Sequence, residues 1–242
     1  MNGDALAVEI ERELRTLGTP ERAKNERAYL RSDLAFLGVT VPNIRAVAKR
    51  IHAKHAAIEH DELVALVEAL WREPIHERRM VAVELLRLCG PTLEARDIDL
   101  IEGMIRESRT WALVDTLAEY VAGGLVEKHK KLARVLDRWA RDVDFWVRRA
   151  AMLALLGPLR RGEWDFARFG RYADGMLNER EFFIRKAIGW ILRETSKRRP
   201  DLVSQWLQPR AHRAAGLTLR EAVKYLPSEQ RERILRLATK KG

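Results

Sequence analysis

The chain has 242 residues, of which 47% are hydrophobic and 33% are charged, which is enough for one domain with a sizeable core. Lysine and arginine (45) outnumber aspartate and glutamate (35), so the formal net charge is +10 at pH 7. Such an excess favours a polyanionic partner, and nucleic acid is the commonest, ahead of an anionic membrane. A solvated basic surface without such a partner is the alternative.

Composition excludes several other classes of protein. The single cysteine, Cys89, excludes an intrachain disulfide and argues against structural zinc. His52, His55 and His60 lie close together in the sequence, but without cysteine partners, so we expect neither a metal nor a cofactor. No signal-peptide pattern or long apolar run is found, and we therefore expect a cytoplasmic, nucleoid-associated protein with no membrane contact.

Helical spacing of apolar residues dominates from the beginning of the chain to its end, and strict strand-like alternation is missing. The first helix is predicted from Leu6, Ile10, Leu14 and Leu17. Residues 218–221 (TLRE) are predicted to be a capping box that opens a C-terminal helix. The eight prolines fall where one periodic run ends or the next begins, so we predict roughly a dozen helices joined by short loops.

The sequence repeats itself. Residues 144–151 (DFWVRRAA) recur 37 positions later as residues 181–188 (EFFIRKAI), and residues 110–117 (TWALVDTL) fit the same frame 34 positions earlier. A weaker copy is residues 75–81 (IHERRMV). A period in the mid-thirties with two helices per unit is typical of an α-solenoid. We therefore predict an all-α fold of HEAT-like repeats with a concave basic face, forming one domain over residues 1–242; an irregular helical bundle is the alternative.

The repeated helix has a predicted core side. With Trp111, Phe145 and Phe182 as position zero, positions 2, 6, 9 and 10 cluster on one side at about 100° per residue. In the three copies they are Leu113, Leu117, Tyr120, Val121; Val147, Ala151, Ala154, Leu155; and Ile184, Ile188, Ile191, Leu192.

The opposite side carries the candidate functional residues. Position 4 is expected to point away from the packed interior, and it is occupied by Arg79, Asp115, Arg149 and Lys186. Trp190 lies on the same side, and so does Trp111. Three cations in a row suit contact with phosphates, and the lone carboxylate breaks that pattern, which makes it a functional candidate. The alternatives are a salt bridge from Asp115 to Arg79 or Arg149, and ordinary packing of both tryptophans.

At these residues the chain resembles a known family, the HEAT-like-repeat alkylpurine DNA glycosylases of the AlkD type. The resemblance runs from about Pro20 to about Leu226. Its most specific stretch is residues 181–194 (EFFIRKAIGWILRE), supported by residues 36–39 (FLGV), 146–150 (WVRRA) and 220–224 (REAVK).

The resemblance implies roles for individual residues. Asp115 matches the family's catalytic aspartate, and Trp111 and Trp190 match its two cleft tryptophans. Its cleft arginine matches Arg149, or the neighbouring Arg148, and its N-terminal tyrosine matches Tyr29. We expect these residues to contact DNA, together with Lys186 from the cation row. The family often has an aromatic residue just before the first cleft tryptophan, where this chain has Thr110, which puts the floor of the cleft in doubt.

The implied activity is that of a monofunctional glycosylase that releases N3-alkyladenine and N7-alkylguanine from double-stranded DNA, without flipping the base. The implied enzyme needs no cofactor, metal or obligate protein partner, and we expect it to be a monomer. Two other hypotheses stay open. A non-catalytic helical-repeat protein would bind distorted DNA without releasing a base, and a protein-binding scaffold would bind DNA only weakly.

Overall fold

The structure, a computed structural model, describes residues 2–163 and 165–239. The predicted all-α class is confirmed: within these residues there is no extended strand, only an isolated parallel bridge between Ala35 and Ile75. None of the described helices combines the length and apolar character that a membrane crossing requires. Contacts between Cα atoms divide the chain into two compact units, Met1–Leu125 and Val126–Gly242. The assignment of residues 1–242 to one domain stays a prediction.

The helices follow one another with short connections. In chain order they are α1 (Gly3–Leu17), α2 (Pro20–Leu30), α3 (Val41–Lys54), α4 (His60–Arg72), α5 (His76–Leu88), α6 (Ile98–Ser108), α7 (Trp111–Thr116), α8 (Gly123–Lys128), α9 (Ala133–Trp139), α10 (Phe145–Leu153), α11 (Leu156–Arg161), α12 (Phe166–Met176), α13 (Phe182–Ser196), α14 (Pro200–Leu207), α15 (Gly216–Ala222) and α16 (Ser228–Thr239). A π-helical segment, Leu117–Ala122, joins α7 to α8.

Local sequence explains where many of these helices begin. Pro20 and Pro200 are the first residues of their helices, and Pro42 is the second residue of α3, positions where the missing N–H costs nothing. The capping-box prediction is wrong. Thr218 lies inside α15 and is buried, and its hydroxyl donates to the carbonyl of Arg185 at 3.1 Å instead of capping the helix.

In the first unit, α5 is the central helix. It packs against α3, α4 and α7, and α1 covers α4. In the second unit, α13 has the same place, with α10, α11, α14 and α15 around it. The apolar residues that these two helices bury against their neighbours contribute to the hydrophobic core of each unit.

The predicted core stripe is confirmed at eleven of its twelve positions, which are at most 2% exposed, and is wrong at Tyr120, which is 51% exposed. Tyr120 lies in the π-helical segment, where each turn contains more residues than in an α-helix. Counting 100° per residue therefore places Tyr120 on the wrong side. Its ring lies instead against the guanidinium of Arg87, 5.9 Å from the ring centre.

Helix α2 is held in an unusual way, because none of its residues is buried. The backbone N–H of Thr19, its N-cap, donates to the carbonyl of Gly38 at 3.3 Å. Gly38 has φ +80°, and a Cβ there would lie 2.1 Å from the Thr19 carbonyl oxygen, so only glycine fits. This contact fixes the start of α2 against the loop that follows it.

The same loop is fixed to α5 by a buried carboxylate. Glu77 is fully buried, and its oxygens accept the backbone N–H groups of Leu37 at 2.9 Å, Gly38 at 2.6 Å and Val39 at 3.2 Å. Three charge-assisted hydrogen bonds compensate for the desolvation of this carboxylate.

Glu77→Gln is therefore expected to lower the free energy of unfolding by about 2 kcal/mol, because one acceptor becomes an NH₂ donor that faces backbone N–H groups. Urea unfolding followed by circular dichroism measures the change. Glu68→Gln, on the exposed side of α4, is the matched control and should change stability by less than about 0.5 kcal/mol. Equal effects of the two substitutions would contradict this role of Glu77.

Candidate functional site

The first group of predicted site residues lies in the first unit, on α7. Thr110 is the N-cap, with extended φ and ψ of −149° and 139°, and Trp111 is the first helical residue. Asp115 follows one helical turn later, on the same side of α7 as Trp111. Both side chains are half-buried, so neither belongs to the core stripe of Leu113 and Val114.

Tyr29 joins this group from α2. Its ring meets the indole of Trp111 edge to face, with 6.1 Å between ring centres and 89° between ring planes, an arrangement that aromatic pairs favour. Tyr29 is nevertheless 71% exposed. The structure thus brings Tyr29, from a distant segment of the sequence, against Trp111, which lies one helical turn before Asp115.

Thr110 replaces the aromatic residue that the family often has at this position. Its side chain is only 1% exposed, and its hydroxyl has no hydrogen-bond partner among the described residues. The N-cap hydroxyl therefore leaves the first backbone N–H groups of α7 without a side-chain cap. The residue before Trp111 therefore has a small side chain in an enclosed space.

The second group lies in the second unit, on α13. Lys186, Trp190 and Arg193 are spaced at i, i+4 and i+7 along one side of this helix. Trp190 is half-buried. Glu221 of α15 bridges the two cations: one oxygen accepts from Lys186 Nζ at 2.8 Å, and the other accepts from Arg193 Nη1.

Glu221 is not among the site residues that the sequence predicts. Hydrogen bonding to Lys186, followed by the charges of Arg193 and Lys186, holds the pKa of its carboxyl below the usual range. Its segment, residues 220–224, was part of the resemblance, but nothing in the spacing indicated that it pairs with α13. The carboxylate neutralises part of the cation row beside Trp190.

Arg148 and Arg149 are both engaged in contacts within the second unit. Arg148 pairs with Glu179 at 2.8 Å and donates to the carbonyls of Asp142 and Val143 at 2.6 and 3.0 Å. Arg149 is only 3% exposed, and its Nη1 donates to the carbonyl of Phe183.

The expectation that position 4 faces away from the interior is therefore wrong for two of its four residues. Arg79 is 7% exposed, as buried as a core residue, with its guanidinium 4.6 Å from the centre of the Trp71 ring and donating to the carbonyl of Glu107 at 3.1 Å. Arg79 and Arg149 bend over the ends of neighbouring helices because carbonyls and ring faces there accept a cation.

His52 and His60 have structural partners of their own, whereas His55 Nε2 has none among the described residues. His52 Nδ1 lies 3.3 Å from the sulfur of Cys89, and burial raises the pKa of that thiol. His60 Nε2 lies 3.0 Å from both oxygens of Asp97, and its Nδ1 lies 2.8 Å from Asp61. In the described part of the chain, no group of three or more His, Cys, Asp or Glu side chains is placed to hold a metal ion.

The fold and these residues define a helical-repeat protein with one indole–carboxylate pair on α7 and a further indole between two cations on α13. The chain belongs to the DNA alkylation repair enzyme family, whose model matches residues 10–226. Membership gives the protein a role in DNA repair. A comparison of the sequence with curated proteins found no match.

Solved structures support the same fold. A predicted DNA alkylation repair enzyme from Enterococcus faecalis is similar with a TM-score of 0.78 and 24% identity, over 87% of this chain and 97% of that one. AlkD2 from Streptococcus mutans is similar with a TM-score of 0.57 and 19% identity, over 90% and 98% of the two chains. A third structure, smu.31 from Streptococcus mutans UA159, has a TM-score of 0.55 and 20% identity, over 80% and 90%.

Removing the carboxylate between the two cations should destabilise the second unit. Glu221→Gln is expected to lower the free energy of unfolding at pH 7 by about 1 kcal/mol, because two partly buried cations lose their partner. Urea unfolding measures it. Glu229→Gln is the control, since Glu229 forms an exposed i,i+4 pair with Arg233; a loss as large in this control would contradict the bridging role.

His60 should make stability depend on pH. Hydrogen bonds to Asp61 and then Asp97 raise the pKa of His60, so its contribution is complete below about pH 6.5, the ordinary value, and is lost as the pH rises through the raised one. The difference in unfolding free energy between wild type and His60→Gln should be larger at pH 5.5 than at pH 8.5. His212→Gln, an exposed histidine, should show no such difference; a pH-independent gap for His60 would refute the assignment.

Proposed function

We propose that the protein is a DNA glycosylase that hydrolyses the N-glycosidic bond of cationic alkylated purines, N3-alkyladenine and N7-alkylguanine, in duplex DNA. The observation that carries the proposal is the pairing on α7 of a half-buried indole with a carboxylate one turn away, beside an exposed tyrosine ring. Membership in the DNA alkylation repair enzyme family supports DNA as the substrate.

This reaction needs little general-acid catalysis from the protein, because the substrate base is already a good leaving group. Alkylation at N3 of adenine or N7 of guanine makes the base cationic, so the purine leaves with the electron pair of the bond to C1′ and becomes neutral. The deoxyribose then carries positive charge, and water adds its oxygen to C1′ and releases a proton. The products are a free base and an abasic site.

Asp115 suits the role of stabilising that charge. A carboxylate close to the sugar lowers the energy of an oxocarbenium-like transition state and orients the attacking water. Its half-buried position shields the carboxylate from bulk solvent, which strengthens its field at the reacting carbon.

Trp111 supplies a ring face for the cationic base and the charged sugar, a cation–π contact worth roughly 0.5–2 kcal/mol. Tyr29, edge-on to Trp111, holds the indole in place and leaves its own ring exposed. An exposed tyrosine ring beside a half-buried indole resembles a surface against which DNA lies more than a pocket that encloses a flipped base. We therefore propose that the lesion stays in the duplex.

The second unit holds further residues that we propose to act on DNA. Trp190 is proposed as a second indole that contacts DNA, and Lys186, Arg148 and Arg149 as cations that attract it. Lys186 pairs with Glu221, so a phosphate must compete with that carboxylate. Arg148 and Arg149 donate to protein carbonyls, which favours a role in which they hold α10 and α13 and add a positive field.

Asp115→Asn is expected to slow release of N7-methylguanine from a methylated duplex by about 100-fold or more, because the amide has no charge. DNA affinity should stay within about twofold, since a carboxylate adds nothing to phosphate binding. Single-turnover release of free base, measured by chromatography, tests the rate, and a fluorescence titration tests binding.

Asp99→Asn, an exposed carboxylate on α6, is the matched control and should release base at the wild-type rate. Unchanged release by Asp115→Asn would remove Asp115 from its role. Tight, salt-sensitive DNA binding by the wild-type protein without any base release would favour the non-catalytic DNA-binding alternative instead.

A further inference from the structure

Two arginines have backbone conformations that arginine rarely adopts. Among the described residues, the non-glycine positions with positive φ are Arg31 (φ 49°) and Arg109 (φ 46°). Each follows the last residue of a helix, Arg31 after α2 and Arg109 after α6, in the left-handed region. Glycine or asparagine is the usual residue at such a position, because a Cβ is strained there.

Both arginines lie next to the aromatic pair. Arg31 is two residues after Tyr29, and Arg109 is two residues before Trp111. Because the rings of Tyr29 and Trp111 are 6.1 Å apart between centres, the two segments meet at this contact. The two strained arginines therefore adjoin the two halves of one ring contact in the sequence, within the first unit.

Both arginines are also unpaired, in contrast with their neighbours. Arg31 and Arg109 are exposed, and neither forms an ion pair or a side-chain hydrogen bond with another described residue. Carboxylates hold most other arginines of this unit, namely Arg15, Arg22, Arg45, Arg50, Arg72, Arg78, Arg79, Arg87, Arg96 and Arg106.

Arg31 further belongs to a basic groove. An open depression of about 750 Å³ beside the end of α2 is lined by Lys24, Arg27 and Arg31, with Asp33 as its one carboxylate. Lys24 and Arg27 also lack an ion pair with any described residue. A groove with an excess of unpaired cations attracts a polyanion.

We propose that Arg31 and Arg109 bind backbone phosphates of DNA on the two sides of the Tyr29–Trp111 pair, with the groove at Arg31 continuing the phosphate track. The proposal rests on the proposed function for its ligand. Phosphate contacts of this kind fix the register of a duplex on a protein, so the two arginines align the strand along the ring pair.

A purely structural explanation exists for each arginine, because a cation near a helix C-terminus interacts favourably with the helix dipole. That explanation predicts a loss of stability when the charge is removed and no effect on DNA. The phosphate explanation predicts weaker and less salt-dependent DNA binding when the charge is removed, whereas relief of the left-handed strain acts on stability under either explanation. The two explanations therefore differ in a measurable effect on DNA binding.

The test is a salt titration of binding to a duplex that contains N7-methylguanine. Arg31→Gly and Arg109→Gly are each expected to weaken binding roughly fivefold, and to reduce the slope of log K against log salt by about 0.9, or by about 1.8 for the double variant.

Arg12→Gln is the matched control: Arg12 is exposed on α1, with no ion pair to another described residue, and its loss lowers the net charge equally. It should leave the slope unchanged. Thermal midpoints of the two glycine variants should equal or exceed that of the wild type.

Wild-type slopes in both glycine variants, with lowered midpoints, would overturn the phosphate role and leave the proposed glycosylase activity intact. A slope that falls as much in Arg12→Gln would overturn it too, because net charge alone would explain the effect. A wild-type protein that does not bind the duplex would overturn both proposals.

Discussion

The carboxylate of Glu77 and the glycine it binds determine where the aromatic pair lies. Helix α2 has no buried residue, so packing fixes its position less firmly than that of the core helices. It depends on the Thr19–Gly38 contact at its start, and the loop with Gly38 depends on three hydrogen bonds to Glu77. Because Glu77 lies in the first turn of α5, the most enclosed helix of the first unit, the position of Tyr29 against Trp111 is tied to the core.

The cations of this basic chain differ in whether a carboxylate of the protein is already paired with them. Lys186 and Arg193 share Glu221, and Arg148 has Glu179, so a phosphate that approaches them exchanges one anion for another and gains little. Arg31 and Arg109 have no such competitor among the described residues. A basic composition therefore says little about which cations are available to a ligand, and that availability is decided by the acidic residues of the neighbouring helices.

The sequence predicted the helical class, the repeat and the side of each repeated helix that packs inward, because burial of an aliphatic stripe is a local, periodic property. It also predicted that Trp111 and Asp115 share one side of a helix. It misplaced Tyr120, because an extra residue per turn leaves no mark on apolar periodicity. It also misjudged Arg79 and Arg149, since a long guanidinium can be buried wherever a neighbouring helix offers a carbonyl or a ring, and those neighbours are known only from the fold.

The π-helical segment Leu117–Ala122 lies between two parts of one continuous helical stretch, and each part is anchored in the core by its own buried residues. Before it, Leu113 and Val114 anchor the stretch in the core and thereby turn Trp111 and Asp115 outward. From the end of the segment onward, Val121, Ala122 and Leu125 anchor the stretch a second time, in a register of their own. An insertion or deletion of one residue between these anchors can be absorbed by widening or narrowing a single turn. Length variation in this part of the chain is thus compatible with an unchanged orientation of the indole and the carboxylate.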